Sequence, residues 1–148
     1  MHLALYQPVI PQNVGVCIRL AACFGVELHV IEPVGFRFDD TAMKRAALDY
    51  GPLGHMTRHQ DWDAFLAARA PGRLVLFTTK GATPLQRFVF RPDDILLFGS
   101  ETSGVPEAVH AIADARVVIP LKPDARSLNL SVSAGIGLFD GLRQTGGL

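Results

Sequence analysis

The chain has 148 residues, 49% of them apolar, and its fourteen Lys and Arg balance fourteen Asp and Glu. That length holds one domain with a sizeable core, and the apolar share excludes a disordered chain. Zero net charge excludes a histone-like, broadly basic binder but leaves room for a local basic patch.

His2 to Tyr6 reads as a short strand. Pro8 and Pro11 flank a turn. Gln12 to Phe24 follows as a helix, with Val14, Ile18, Ala21 and Ala22 near helical spacing and Asn13 as a candidate cap. Cys17 and Cys23 lie in this helix in neither a Cys-x-x-Cys nor a zinc pattern, and read as buried structural thiols. Gly25 ends the helix. Leu28 to Ile31 is a second strand and Pro33 to Gly35 a turn. A helix runs from Asp39-Asp40-Thr41 to about Leu48, capped by Asp40 or Thr41. Tyr50 to Gly54 reads as loop and Met56 to His59 as a short strand. Asp61-Trp62 opens another helix, which Pro71-Gly72 ends. Leu74 to Thr79 is a strand, followed by Lys80-Gly81 and a turn at Pro84. Phe88 to Phe90 reads as a minor edge strand.

Ile95 to Phe98 is a continuous apolar run, the mark of a strand buried on both faces. It opens into a small polar loop bounded by Gly99 and Gly104, and Pro106 suits the first turn of a helix reaching about Ala113. The loop is not a P-loop, because Val105-Pro106 stands where Lys and Ser or Thr belong, and it is not a dinucleotide fingerprint. Taken alone it is as readily a tight turn as a ligand loop. A second unit of the same design follows: the strand Val117 to Ile119, the polar run from Pro120 to Ser127, and a helix from Asn129 to about Arg143. Two such units side by side can face one pocket. The last helix carries Gly135, Gly137 and Gly141, each costing roughly 1 kcal/mol against Ala in a helix interior. Close packing on the chain's own sheet explains them, and so does a subunit interface.

Alternating strands and helices imply an α/β fold, a largely parallel sheet with helices on both faces, in a single domain over residues 1–148. The sequence carries no linker or repeat pattern and no signal-peptide or membrane-span pattern, so a cytoplasmic location is expected. No metal-ligand spacing stands in the sequence, so no metal is expected.

Three stretches together resemble the trefoil-knot RNA methyltransferases of the SPOUT superfamily: Pro11 to Leu20, Phe98 to Pro106, and Ile119 to Ser131. The resemblance covers essentially the whole chain. Ile31-Glu32-Pro33, Asp39-Asp40, Lys44 to Tyr50 and Thr78-Thr79-Lys80-Gly81 look like one subgroup, the tRNA (cytidine/uridine) 2′-O-methyltransferases acting at the wobble position of the anticodon. The resemblance implies a deep C-terminal trefoil knot, which general rules of chain topology argue against. It implies a homodimer and the tRNA anticodon stem-loop as partner. It implies S-adenosylmethionine as cofactor, held by Phe77, Thr78, Gly99, Glu101, Gly104, Ile119, Leu121, Ser127 and Leu128. Arg19 is the implied catalytic arginine, with Asn13, Ser127 and Asn129 orienting it and the ribose. As helix caps Asn13, Ser127 and Asn129 would be purely structural. A guanidinium is a very poor base, so Arg19 is expected to position groups, with the family's general-base role as the alternative. Lys44, Arg45, Lys122 and Arg126 are candidate RNA-backbone contacts, or else solvated surface charge.

Two departures bear on details. Phe139 stands where relatives often have Tyr, removing any hydroxyl role there, and the chain ends at Leu148, early for the subgroup. The same chemistry on another RNA, such as ribosomal RNA, is the nearest alternative. A non-catalytic RNA- or nucleotide-binding module is another, although keeping Asn13, Arg19, Glu101, Ser127 and Asn129 together argues against decay. A flavodoxin-like regulator lacks the three-stretch pattern.

Overall fold

The strands in chain order are β1 (His2–Tyr6), β2 (Glu27–Ile31), β3 (Met56–His59), β4 (Leu74–Phe77), β5 (Thr83–Pro84), β6 (Ile95–Phe98) and β7 (Ala115–Val118). The helices are α1 (Pro11–Phe24), α2 (Thr41–Ala47), α3 (Trp62–Ala68), α4 (Glu107–Ile112) and α5 (Leu130–Thr145). This computed structural model describes residues 1–48, 50, 56–80 and 83–148. The expected loop at 51–54, together with Asp49 and Gly81, lies outside the described residues.

Among the described residues the strands form one sheet in the order β3-β2-β1-β6-β4-β7-β5, with every pairing parallel. Strand pleating sends alternate side chains to opposite faces. Leu3, Leu5, Leu96, Phe98 and Val75 join a core with Val14, Ile18, Met43 and Leu138, beneath α1, α2 and α5. Ala4, Tyr6, Ile95, Leu97, Leu74 and Leu76 join a second core with Phe65 and Val109, beneath α3 and α4. All four residues of β6 are buried, because both faces are covered. Each such side chain contributes roughly 1.5–3 kcal/mol of transfer free energy.

Strand order departs from chain order where the site lies. β6 inserts between β1 and β4, and the chain then passes β4 again to lay down β7 on its far side. From β7 it returns to the α1 face, where α5 packs on α1 and β6. No helix among the described residues is long and apolar enough to cross a membrane.

The structure corrects four expectations. Asn13 is not a helix cap: α1 begins at Pro11, with Ile10 in the cap position and without a side-chain cap. Proline at the first position needs no donor there, so the helix starts two residues before the asparagine. Cys23 is exposed and only Cys17 is buried. Burial first, and the nearby Glu101 carboxylate second, push the Cys17 thiol up to about 12, leaving it unreactive. Phe88 to Phe90 form no strand but follow a single 3-10 turn at Leu85–Arg87, with Phe90 packed inward. The edge strand beyond β7 is instead the two-residue β5, a site that reads in the sequence only as a turn at Pro84.

Candidate active site

The carboxyl ends of β4, β6 and β7 open into one cleft of about 530 Å³. In parallel sheets this is the edge where ligands bind, since the loops diverge where strand order reverses. The loop after β6 forms one wall. Its ends are locked by paired backbone bonds: Ser100 N–H donates to Gly104 at 3.0 Å, and Gly104 N–H donates back at 2.9 Å. Gly104 has φ +65°, and a Cβ on Gly99 would stand 2.6 Å from the Gly104 carbonyl carbon. Both glycines are therefore demanded by closure of the loop on itself.

The opposite wall is the segment after β7. Residues 121–129 are all exposed, so their backbone groups face the cleft or solvent. The floor is aromatic. Phe77, ending β4, stacks on Phe98 of β6 with centroids 4.6 Å apart, and lies parallel to Phe90 at 6.4 Å.

A polar relay ties these walls to α1. The Glu101 carboxylate accepts from Val9 N–H at 2.9 Å, Ile10 N–H at 3.2 Å and Asn13 Nδ2 at 2.9 Å. The Asn13 Oδ1 accepts from Asn129 Nδ2 at 2.8 Å, across 116 positions of sequence. Asn129 then caps α5, its Oδ1 accepting from Ser131 N–H, Ser131 Oγ and Val132 N–H. Glu101 thus holds the backbone donors of Val9 and of the cap residue Ile10 at the entry to α1, and Asn13 is only 4% exposed, with both ends of its amide used.

All nine expected cofactor residues line this cleft: Phe77, Thr78, Gly99, Glu101, Gly104, Ile119, Leu121, Ser127 and Leu128. So do Asn13, Ser127 and Asn129 of the expected catalytic group. Arg19 does not. It is exposed on α1, its guanidinium carbon 5.5 Å from the centroid of the Tyr50 ring. Lys44 and Arg45 are exposed on α2, where Arg45 borders a shallow depression with Gln12 and Asp40. Lys122 and Arg126 are exposed on the segment bounding the cleft. Sequence reasoning missed His110, which α4 buries against the cleft, as well as Lys80 and Ser133 at its margins. The available signal was weak: a histidine beside Val109 on a short helix looks like ordinary packing.

A volume of this size, an apolar floor for a planar ring and exposed backbone groups along one wall suit a nucleoside-bearing cofactor. The family model for the SpoU rRNA Methylase family matches residues 1–139. A relative from Beijerinckia indica subsp. indica, named tRNA (cytidine(34)-2′-O)-methyltransferase, is 55% identical over 148 residues, covering 99% of this chain and 92% of its own length. A solved structure described as giving structural insights into the 2-OH methylation of C/U34 on tRNA matches with TM-score 0.93 and 42% identity, over 99% of this chain and 97% of that one. The SpoU methyltransferase AviRb from Streptomyces viridochromogenes, solved in complex with AdoMet, matches with TM-score 0.83 and 27% identity, over 97% of this chain and 60% of AviRb.

Proposed function

The chain belongs to the SpoU rRNA methylase family, and from that premise we infer that it is an S-adenosylmethionine-dependent methyltransferase acting on the 2′-hydroxyl of tRNA nucleotide 34. The C-terminal trefoil knot follows from the shared fold. The observation that carries the reading is the meeting of three distant stretches at one cleft, through Glu101, Asn13 and Asn129.

When bound, S-adenosylmethionine supplies an electrophilic methyl group. Phe77, Ile119 and Leu121 would wall its adenine, and the backbone at Gly99, Gly104, Ser127 and Leu128 would hold its polar edges, with Thr78 beside them. Glu101 acts by fixing the first turn of α1 and Asn13 against the cofactor loop. Arg19 grips the ribose and its phosphate through the planar guanidinium fork, orienting the hydroxyl rather than removing its proton. Lys44, Arg45, Lys122 and Arg126 contact the RNA backbone.

Arg19 stands outside its own chain's cleft, which favours a homodimer packed through α1 and α5. The supporting feature is a stripe of exposed apolar side chains on α5: Val132 (48% exposed), Ile136 (37%) and Phe139 (50%). Spaced four and three residues apart, they share one helix face. A tRNA substrate favours a cytoplasmic location.

The test is methyl transfer from labelled S-adenosylmethionine to total RNA and to purified tRNA, followed by mapping of the modified ribose. Label at position 34, and none in tRNA carrying a 2′-deoxy nucleotide there, is the expected result. Label confined to ribosomal RNA would overturn the substrate assignment.

A further inference from the structure

At the other half of the sheet, His2 converges with the pair Glu27 and His29, which lies far from it in sequence. His2 opens β1, and Glu27 and His29 lie on β2 beside it. Parallel register pairs His2 with Glu27, and the two-residue period of a strand puts His29 on the same face as Glu27. His2 Nδ1 is 3.3 Å from His29 Nε2 and 3.4 Å from Glu27 Oε2, and His29 Nε2 is 3.8 Å from the same oxygen.

Those distances are the edges of a small triangle with a chemical meaning. Tetrahedral zinc with nitrogen and oxygen donors at about 2.0–2.2 Å has donor–donor edges of about 3.3–3.6 Å. Two of the three edges already match. The third runs to Glu27, whose side chain is 60% exposed and free to close the remaining tenths. The far nitrogen of the His29 ring is also held: His29 Nδ1 lies 3.0 Å from His59 Nε2 on β3, with Phe65 packed edge-on against both rings. A ligating histidine characteristically has its other nitrogen tied in this way, which fixes ring orientation.

We propose that His2, Glu27 and His29 form a binding site for one divalent transition-metal ion of the zinc class, with His59 as the group that orients His29. Two imidazoles and one carboxylate favour such an ion over magnesium or calcium, which take all-oxygen sets. Glu27 and His2 begin their strands, whereas the cofactor cleft lies at the carboxyl ends of β4, β6 and β7. The ion therefore clamps β1 to β2 and has no part in methyl transfer. Its consequence is stability that depends on metal, because binding to the native state alone raises the unfolding free energy.

Tag-free protein stripped with chelator is titrated with Zn²⁺ by calorimetry and with Co²⁺ by visible absorption. One Zn²⁺ per chain, ligand-field bands from tetrahedral Co²⁺, and a Tm that rises with Zn²⁺ are expected. Glu27→Gln and His2→Gln change exposed or half-buried positions and leave the core intact. Each should weaken binding at least about tenfold, and His59→Gln by about tenfold through loss of ring orientation. Cofactor affinity should stay at the parental value in the first two variants. No binding at millimolar Zn²⁺, or parental Zn²⁺ affinity in both Glu27→Gln and His2→Gln, would overturn the site.

Discussion

Glu101 and Asn13 are joined by a 2.9 Å hydrogen bond from the Asn13 amide nitrogen to the Glu101 carboxylate, and this bond couples the cofactor loop to the helix that carries Arg19. The same carboxylate serves the Val9 and Ile10 backbone donors. Glu101→Ala should cost roughly 1–3 kcal/mol, since those donors lose their acceptor. Asn13→Asp should be worse than Asn13→Ala. It sets one carboxylate against another at a buried position, while Ala loses the donor to Glu101 and the acceptor for Asn129 without adding a charge. Urea unfolding of the three variants measures the order. An aspartate variant as stable as the alanine one would contradict it.

Gly137 lies in the buried face of α5, where a Cβ would stand 2.5 Å from the Phe77 ring. Phe77 packs between that helix and Phe98 and lines the cleft, so displacing its ring alters the cleft floor. Gly137→Ala should therefore weaken S-adenosylmethionine binding, by about tenfold for a shift worth 1.4 kcal/mol. Gly15→Ala is the contrast. Its Cβ would meet the Met43 backbone oxygen at 2.3 Å, away from the cleft. It should lower stability by roughly 1–3 kcal/mol through overpacking of α1 on α2, with cofactor affinity little changed in the folded fraction. Calorimetry beside thermal unfolding separates the two outcomes.

These glycines show which parts of the site were legible in the sequence. The apolar runs of β1, β4 and β6 fixed their burial, and the resemblance located the cleft residues. The strand order was not legible, because nothing local in Ile95 to Phe98 says that β6 inserts between β1 and β4. For the same reason the role of Asn13 could not be seen: its partners lie 88 and 116 positions away. A cap is a local motif, and Asn129 does cap α5, the structural alternative to its expected role in orienting the ribose. A buried amide bridging two distant loops leaves no local trace. The glycines of α5 also divide by environment. Gly137 and Gly141 sit against Phe77 and Met1 of the same chain, which satisfies the own-sheet explanation for those two.

The histidine row predicts acid sensitivity. Burial first, then the neighbouring His2 and His59, lower the His29 pKa from its ordinary value to about 4. In the unfolded chain it titrates near 6.5, so between about pH 6.5 and 4 the unfolded state binds more protons. Stability is full above that window and is lost as pH falls through it. The loss should be on the order of a few kcal/mol by the bottom of the window. Urea midpoints in chelator at pH 7 and pH 5 measure this. His29→Gln should flatten the profile, and an unchanged slope in that variant would assign the acid sensitivity to other groups.

The α5 stripe predicts how assembly fails. A charge at its centre must be desolvated on dimerisation without a partner, a cost of several kcal/mol. Ile136→Asp and Phe139→Asp should therefore yield folded monomers at micromolar concentration, where the parent should be a dimer on the proposed packing. Multi-angle light scattering reads mass, and circular dichroism checks that the monomers are folded. Methyl transfer should fall with the dimer. Full activity in a monomer would show that one chain alone completes the site.

Arg19 gives the sharpest separation of binding from chemistry. It lies outside the cleft lining, so Arg19→Ala should leave both the fold and S-adenosylmethionine affinity near parental. Methyl transfer should nevertheless fall by orders of magnitude, because misplacing the ribose by about 1 Å costs roughly a hundredfold. Arg19→Lys should fail largely as well, since an ammonium cannot reproduce a fork that holds two oxygens in one plane. If the residue works across the dimer, a mixture of Arg19→Ala chains with Ser127→Ala chains should regain activity. Each mixed dimer would contain one site with an intact cleft and an intact arginine. Tritiated methyl transfer on the separate and mixed variants reads this directly. Recovery upon mixing requires that the arginine be lent by the partner. Without recovery, in mixtures shown to exchange subunits, Arg19 serves the cleft of its own chain.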